Sequence, residues 1–145
     1  MAEYPDPDQV AAALYLSVGL LRRRLRQQQA AGELPVPESA ALARLERDGP
    51  TTAAALAKIE RISPQSMGAT LASLESRGLI RRRSDPADGR RVVLSLTDEG
   101  ARVLRGRRDA RAAQLASALA AGFTGPELRQ LLVAAPLLER LAQSL

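Results

Sequence analysis

The stretch from Ser63 to Thr97 constrains this chain more than any other. Ser63-Pro64 reads as a helix start. A serine oxygen caps free backbone N–H groups, and proline fits the first helical position because its missing N–H is not needed there. Met67, Leu71 and Leu74 fall on one face at helical spacing, and Gln65, Ser66, Ala69, Thr70 and Ser73 fall on another. That second face is short, polar and nearly uncharged, which suits a helix inserted into a groove. Gly78 closes the helix. Leu79-Ile80-Arg81-Arg82-Arg83 then gives an apolar entry followed by three arginines, and Asp85-Pro86-Ala87-Asp88-Gly89 is turn chemistry. Arg90 and Arg91 follow, and Val92, Leu94 and Leu96 alternate with Val93, Ser95 and Thr97 as in a strand.

The pattern predicts a helix followed by a β-hairpin with arginines on both sides of its tip, a winged helix-turn-helix. Upstream, Glu38 to Arg47 forms a second helix with Ala41, Leu42 and Leu45 inward, and Asp48-Gly49-Pro50 ends it. Thr51 or Thr52 caps a third helix that carries Leu56, Ala57 and Ile59 inward, and Glu60-Arg61-Ile62 turns into the helix after Ser63. Loops this short make a compact tri-helical unit.

Long helices flank that unit. The first runs from about Asp8 to Ala31, with Val10, Leu14, Val18, Leu21 and Leu25 as its apolar stripe and Leu16 and Leu20 off it. Arg22, Arg23, Arg24 and Arg26 crowd its C-terminal half, where cations suit the helix dipole, and read as a solvated helix end. Gly32 to Pro37 is a loop. Thr97 caps a helix from Asp98 to about Ala121, with a weak apolar seam of Ala101, Leu104, Ala112, Leu115 and Leu119. Thr124-Gly125-Pro126-Glu127 is a capping box that opens a last helix interrupted by Pro136. Leu128, Leu131, Ala135, Leu138, Ala142 and Leu145 line one side of it, widened by Leu132, Leu137 and Leu141. Alone, such a helix exposes too much hydrocarbon. It is expected to pack with the first helix and with the same helices of a second chain; leucines left facing solvent in a lone subunit would count against that expectation.

At 145 residues the chain is one domain, or one domain with helical extensions, and its net charge of +5 favours anionic partners. Every cation except Lys58 is arginine. With neither Cys nor His in the chain, thiol redox sensing, disulfides and Cys/His zinc sites are excluded. No apolar run approaches the roughly 20 residues that span a bilayer. The acidic start MAEYPDPD lacks a signal-peptide pattern, so a cytoplasmic protein is expected. Enzyme motifs are absent: there is no G-x-S-x-G, no Gly-rich phosphate loop and no evident acid–base carboxylate pair.

Asp88-Gly89-Arg90-Arg91-Val92-Val93-Leu94-Ser95-Leu96-Thr97 resembles the D-x-R-x-x-x-L-x-L-T wing signature of the MarR family of bacterial transcription regulators. Leu56-Ala57, Ser63-Pro64-Gln65-Ser66-Met67 and Leu74-Glu75-Ser76-Arg77-Gly78-Leu79-Ile80 are similar to that family as well, and the match in length and helix order spans the chain. Many members carry a leucine and a glycine in the turn before the recognition helix, where this chain has Glu60-Arg61.

The resemblance implies a mainly α fold with a small antiparallel β-hairpin wing. Residues 37–97 form the DNA-binding lobe, and residues 1–36 and 98–145 a helical dimerisation region. It implies a homodimeric repressor on a pseudo-palindromic operator in double-stranded DNA, with no membrane partner, cofactor or metal. Gln65, Ser66, Thr70 and Ser73, with Ser63 at the cap, are expected to meet bases or phosphates in the major groove. Arg90 matches the signature arginine and is expected at the minor groove, with Asp88 orienting it or a neighbouring arginine. Arg81, Arg82, Arg83 and Arg91 are expected mostly at phosphates. A small anionic or aromatic effector is expected between the dimer helices and the lobe, with Tyr15 and the arginines of the first helix as candidates. Two rivals remain: a winged helix that binds another protein, and a sequence-independent coat for nucleic acid. Selective binding to the DNA upstream of its own gene separates them.

Overall fold

The structure is a computed structural model that describes residues 4–29 and 32–145. The chain runs α1 (Pro7–Gln27), α2 (Val36–Asp48), α3 (Ala53–Glu60), α4 (Pro64–Ser76), β1 (Ile80–Ser84), β2 (Val92–Leu96), α5 (Asp98–Gly122) and α6 (Gly125–Gln143). It is mainly α with one antiparallel hairpin, as expected. Two compact units emerge, residues 1–101 and 102–145, and α5 crosses from one into the other.

The core of the first unit is aliphatic. Ala41, Leu42 and Leu45 of α2 pack with Leu56 and Ala57 of α3 and with Met67, Leu71 and Leu74 of α4, and Leu79, Ile80 and Leu94 close it from the hairpin. Ile59, expected inward, is exposed. The inward face of α3 is set by Leu56 and Ala57, and one turn on it is Glu60, not Ile59, that shares that face. Glu60 is kept half-buried by the Arg44 side chain of α2, whose Nε lies 3.1 Å from its carboxylate. That hydrogen bond, with Asp48 3.4 Å from the same guanidinium, holds Arg44 above its ordinary pKa and therefore charged.

Cap chemistry sets the helix boundaries. Asp6 caps α1, Thr52 caps α3 through the Ala55 N–H, Ser63 caps α4 through the Ser66 N–H, and Thr124 and Glu127 cap each other reciprocally at α6. The alternative at α3 is thereby resolved. Thr51 has a different task, exchanging two backbone hydrogen bonds with Leu94 on the free edge of β2. Pro37, expected in a loop, stands in the first turn of α2. The predicted end of the first helix at Ala31 lies outside the described residues, and α1 ends at Gln27. The turn before α4 keeps its geometry without a glycine: Arg61 itself takes the left-handed conformation (φ 54°, ψ 44°). That conformation costs an L-residue about 1–2 kcal/mol.

The base of the hairpin is a polar knot. The Thr97 hydroxyl donates to the Gly78 carbonyl at 2.7 Å and accepts from the Gly100 N–H at 3.1 Å, while the Thr97 N–H donates to the Leu79 carbonyl at 3.1 Å. The first turn of α5 is drawn so close to β1 that a Cβ on Gly100 would stand 2.2 Å from the Leu79 carbonyl oxygen.

No described residue of α1 or α6 is buried. Leu16 is 71% exposed and Leu132 75% exposed, and the rest of the α6 leucine face is open too. The expectation that these leucines are covered is not met within one chain. Leucines that face solvent in a single subunit count against that expectation.

Gly100→Ala should lower the unfolding free energy by about 3 kcal/mol, read as a lower urea midpoint, because the obstructing atom is backbone and cannot swing aside. Arg61→Gly should raise the unfolding free energy by up to about 1 kcal/mol, read as a higher urea midpoint, since relief of the left-handed strain outweighs the added freedom of the unfolded chain.

Candidate nucleic-acid interface

Helix α4 is built for one buried and one open face. Met67, Leu71 and Leu74 anchor it, which turns Gln65 and Ser66 outward and leaves Thr70 and Ser73 half-exposed. Its hydroxyls are partly committed along the helix. Ser63 donates to the Ser66 hydroxyl at 3.0 Å, and Thr70 donates to the Ser66 carbonyl at 3.0 Å. The Ser66 proton and the Thr70 lone pairs stay available to an outside partner, as do both ends of the Gln65 amide. The open face carries no charge between Ser63 and Leu74.

The C-terminus of α4 is locked. The Leu79 N–H donates to the Leu74 carbonyl at 3.0 Å and the Gly78 N–H to the Glu75 carbonyl at 2.9 Å, the paired bonds of a Schellman motif. Gly78 carries φ +71°, as such a motif needs. Leu74 and Leu79, both buried, supply its apolar contact.

Hairpin register sorts the arginines by face. Ile80 pairs with Leu96, Arg81 with Ser95, Arg82 with Leu94, Arg83 with Val93 and Ser84 with Val92. Directly opposed residues share a face, and alternate residues change face. Ile80 and Leu94 are buried, so the face they share with Arg82 is turned to the core. Arg81 and Arg83 stand on the opposite face, exposed.

Carboxylates sort them again. The Arg82 Nε meets the Glu75 carboxylate of α4, and the Arg91 guanidinium lies 3.8 Å from Asp85. Arg81, Arg83 and Arg90 hold no carboxylate among the described residues. Asp88 spends one oxygen on the Arg90 backbone N–H at 3.0 Å, and its carbonyl accepts from the Arg91 N–H at 3.0 Å. It therefore orients Arg90 through the main chain, with no side-chain ion pair. Asp85 repeats the device at the Ala87 N–H, 2.9 Å away. Both ends of the tip are thus braced, and Gly89 needs no left-handed φ.

The predicted residues come together on one lobe: Ser63, Gln65, Ser66, Thr70 and Ser73 along α4, and Arg81, Arg82, Arg83, Asp88, Arg90 and Arg91 along the hairpin. Sequence reasoning missed Glu75 and Asp85. The helix ends between Glu75 and Arg82, so their spacing in sequence says nothing of contact, and only the hairpin's register reveals the pairing. Asp85 was legible as a turn residue but not as the partner of Arg91. Among the described residues no cluster of acidic side chains could hold a metal, and no helix is long and apolar enough to cross a membrane.

A family model described as MarR family matches residues 33–91. An HTH-type transcriptional regulator of Mycobacterium tuberculosis is 37% identical over 111 residues, covering 77% of this chain and 78% of that one. A crystal structure of a Pseudomonas aeruginosa PA01 protein superposes with a TM-score of 0.81 at 35% identity, covering 96% of this chain and 98% of that one. A mutant of S. aureus MepR bound to an oligodeoxyribonucleotide shares the fold at a TM-score of 0.65 and 19% identity, covering 99% of this chain and 100% of that one.

Ser63→Ala removes the cap of α4 without touching its buried face. It should lower the unfolding free energy by about 1 kcal/mol in thermal or urea melts, the usual loss for an N-cap serine.

Proposed function

The chain belongs to the MarR family of transcriptional regulators, and from that membership we propose a homodimeric repressor that reads a pseudo-palindromic operator and is released by a small anionic or aromatic effector. The observation that carries the proposal is the juxtaposition of an uncharged open face on α4 with a hairpin whose Arg81, Arg83 and Arg90 are free of carboxylates. An uncharged helix face can approach base edges, while uncompensated guanidinium groups seek phosphates and narrow minor grooves.

In this reading α4 enters the major groove. Gln65 bonds an adenine edge or a phosphate, and Ser66, Thr70 and Ser73 bond bases or phosphates, with Ser63 at the backbone beside the cap. The open face presents no bidentate arginine, so direct readout is modest and the wing contributes more. Arg90 reaches the minor groove from a tip that Asp88 has shaped, and Arg81 and Arg83 meet phosphates. Arg82 and Arg91 are paired with the Glu75 and Asp85 carboxylates, which compensate their charge. Two copies place two α4 helices about one turn of DNA apart.

Dimerisation rests on the family membership, and in this reading a second copy covers the apolar faces of α1 and α6 that one chain leaves open. Hydrocarbon on that scale is uncommon on a monomer and fits burial against a second copy. In sedimentation equilibrium the 15.5 kDa chain should run as a dimer; a monomer at micromolar concentration would contradict the reading. The effector would sit beside α1, with Tyr15 and the α1 arginines as its contacts. A calorimetric screen of phenolic acids tests this, and silence across the panel would leave a constitutive repressor.

Operator binding should weaken with salt at about −0.9 in log K per log salt for every phosphate neutralised. Arg90→Ala should reduce operator affinity by tenfold or more in gel-shift titration, on the order of 1–3 kcal/mol for a specific contact, while the dimer persists. Undiminished binding would deny the wing a role in recognition.

A further inference from the structure

We propose that Arg82 and Glu75 form a clamp that sets the angle between the recognition helix and the wing, so that Arg82 acts as a positioning residue and not as a phosphate contact. The proposal rests on the DNA-binding reading above and adds a division of labour within the arginine run that a sequence cannot show. Three observations carry it.

Register comes first. Arg82 lies opposite Leu94, which is fully buried, while its neighbours Arg81 and Arg83 lie opposite Ser95 and Val93 on the other face. A strand cannot present three consecutive side chains to one surface. Whichever surface receives Arg81 and Arg83, Arg82 leaves the strand on the opposite face, where its side chain, 38% exposed, meets Glu75 at the edge of the lobe.

The second observation is the partner. The Arg82 Nε meets the Glu75 carboxylate, in the last turn of α4. A carboxylate at the end of a helix that lies along DNA repels phosphate if left bare. Bound to Arg82 it is neutralised, and the same contact ties helix to strand.

The third is the brace on the other side. Arg77, at the C-cap of α4, lies 3.6 Å from the buried Glu38 of α2. The end of α4 is therefore hydrogen-bonded to β1 by Glu75–Arg82, and on its other side the Arg77 guanidinium faces Glu38 of α2 as an ion pair without a hydrogen bond. Between these two ion pairs runs the Schellman turn, whose backbone bonds fix its path. An exposed ion pair contributes modestly to stability. Its value here is geometric, because a small tilt of the hairpin moves the wing tip off its groove, and a dimer suffers that error twice.

The test uses the full chain and a duplex that the wild-type protein selects from a random-sequence pool, titrated across a salt series. Glu75→Gln and Arg82→Gln should each weaken binding by about three- to tenfold. The double variant should be no weaker than either single, since both break the same ion pair. The salt slope should stay at its wild-type value for Arg82→Gln. It should fall for Arg81→Gln, by about 0.9 for each phosphate no longer neutralised and hence about 1.8 per dimer. The charge-swapped variant E75R/R82E should recover binding to within about threefold of wild type, because the clamp is restored with its polarity reversed. Circular dichroism melts check that each variant is folded. Tighter binding by Glu75→Gln would overturn the proposal, as would a reduced slope for Arg82→Gln or a swap weaker than either single, since these are the marks of an arginine that contacts phosphate. Singles without effect would overturn it too. A wild-type protein that selects no duplex removes the DNA-binding reading and the clamp with it. Selection and a normal salt slope with any of the other adverse results removes the clamp alone.

Discussion

The arrangement of this lobe depends on Thr97. One side chain and its own backbone N–H join the end of α4, the start of β1, the end of β2 and the start of α5. The hydroxyl reaches the Gly78 carbonyl and receives the Gly100 N–H, and the main chain binds the Leu79 carbonyl. The knot works because of two glycines. Gly78 supplies the left-handed residue that turns the chain out of α4, and Gly100 has no side chain where any Cβ would strike backbone. Without that closure the wing would be a two-stranded hairpin with little to fix its direction, and isolated hairpins are marginal in water.

From the knot outward, burial declines and charge rises. At the base Ile80 and Leu94 are buried; at the tip the arginines are exposed and Asp85 and Asp88 hold the turn through backbone N–H groups. Such a gradient suits a probe anchored in an aliphatic core that ends in guanidinium groups able to adjust to a groove. The recognition helix shows the converse economy: its buried face is apolar, and its open face carries short side chains that can approach a surface closely. On the end of α4 and the hairpin tip the carboxylates of Glu75, Asp85 and Asp88 are each engaged by an arginine or a backbone N–H.

Much of this was legible in the sequence, because the signals were local. The Ser63-Pro64 start, the Gly78 stop, the turn at residues 85–89 and the Thr124–Glu127 box each act within a few residues, and each appears where expected. What was not legible depends on register or on distant neighbours. Thr51 and Thr52 look alike in sequence, yet one bridges Leu94 and the other caps α3. Ile59 looked like core by hydropathy, but the α3 face closes on Leu56 and Ala57. Arg61 occupies a conformation usually given to glycine, and no residue-level preference predicts that. The division of Arg81, Arg82 and Arg83 between two faces was implicit in strand alternation, but which face met the core required the pairing with Leu94. The leucines of α1 and α6 suggested a covered surface, and in a single chain they stay open.

In the proposed complex two such lobes hold one duplex, each with a helix in the major groove and a wing at the flanking minor groove. Hydroxyl-radical footprinting on the duplex that the protein selects is the sharpest check of that arrangement. Two lobes should leave two symmetric sets of protections whose centres lie about one helical turn apart, each flanked by a minor-groove protection that disappears with Arg90→Ala. A single asymmetric window, or continuous protection that spreads with protein concentration and ignores sequence, would contradict it.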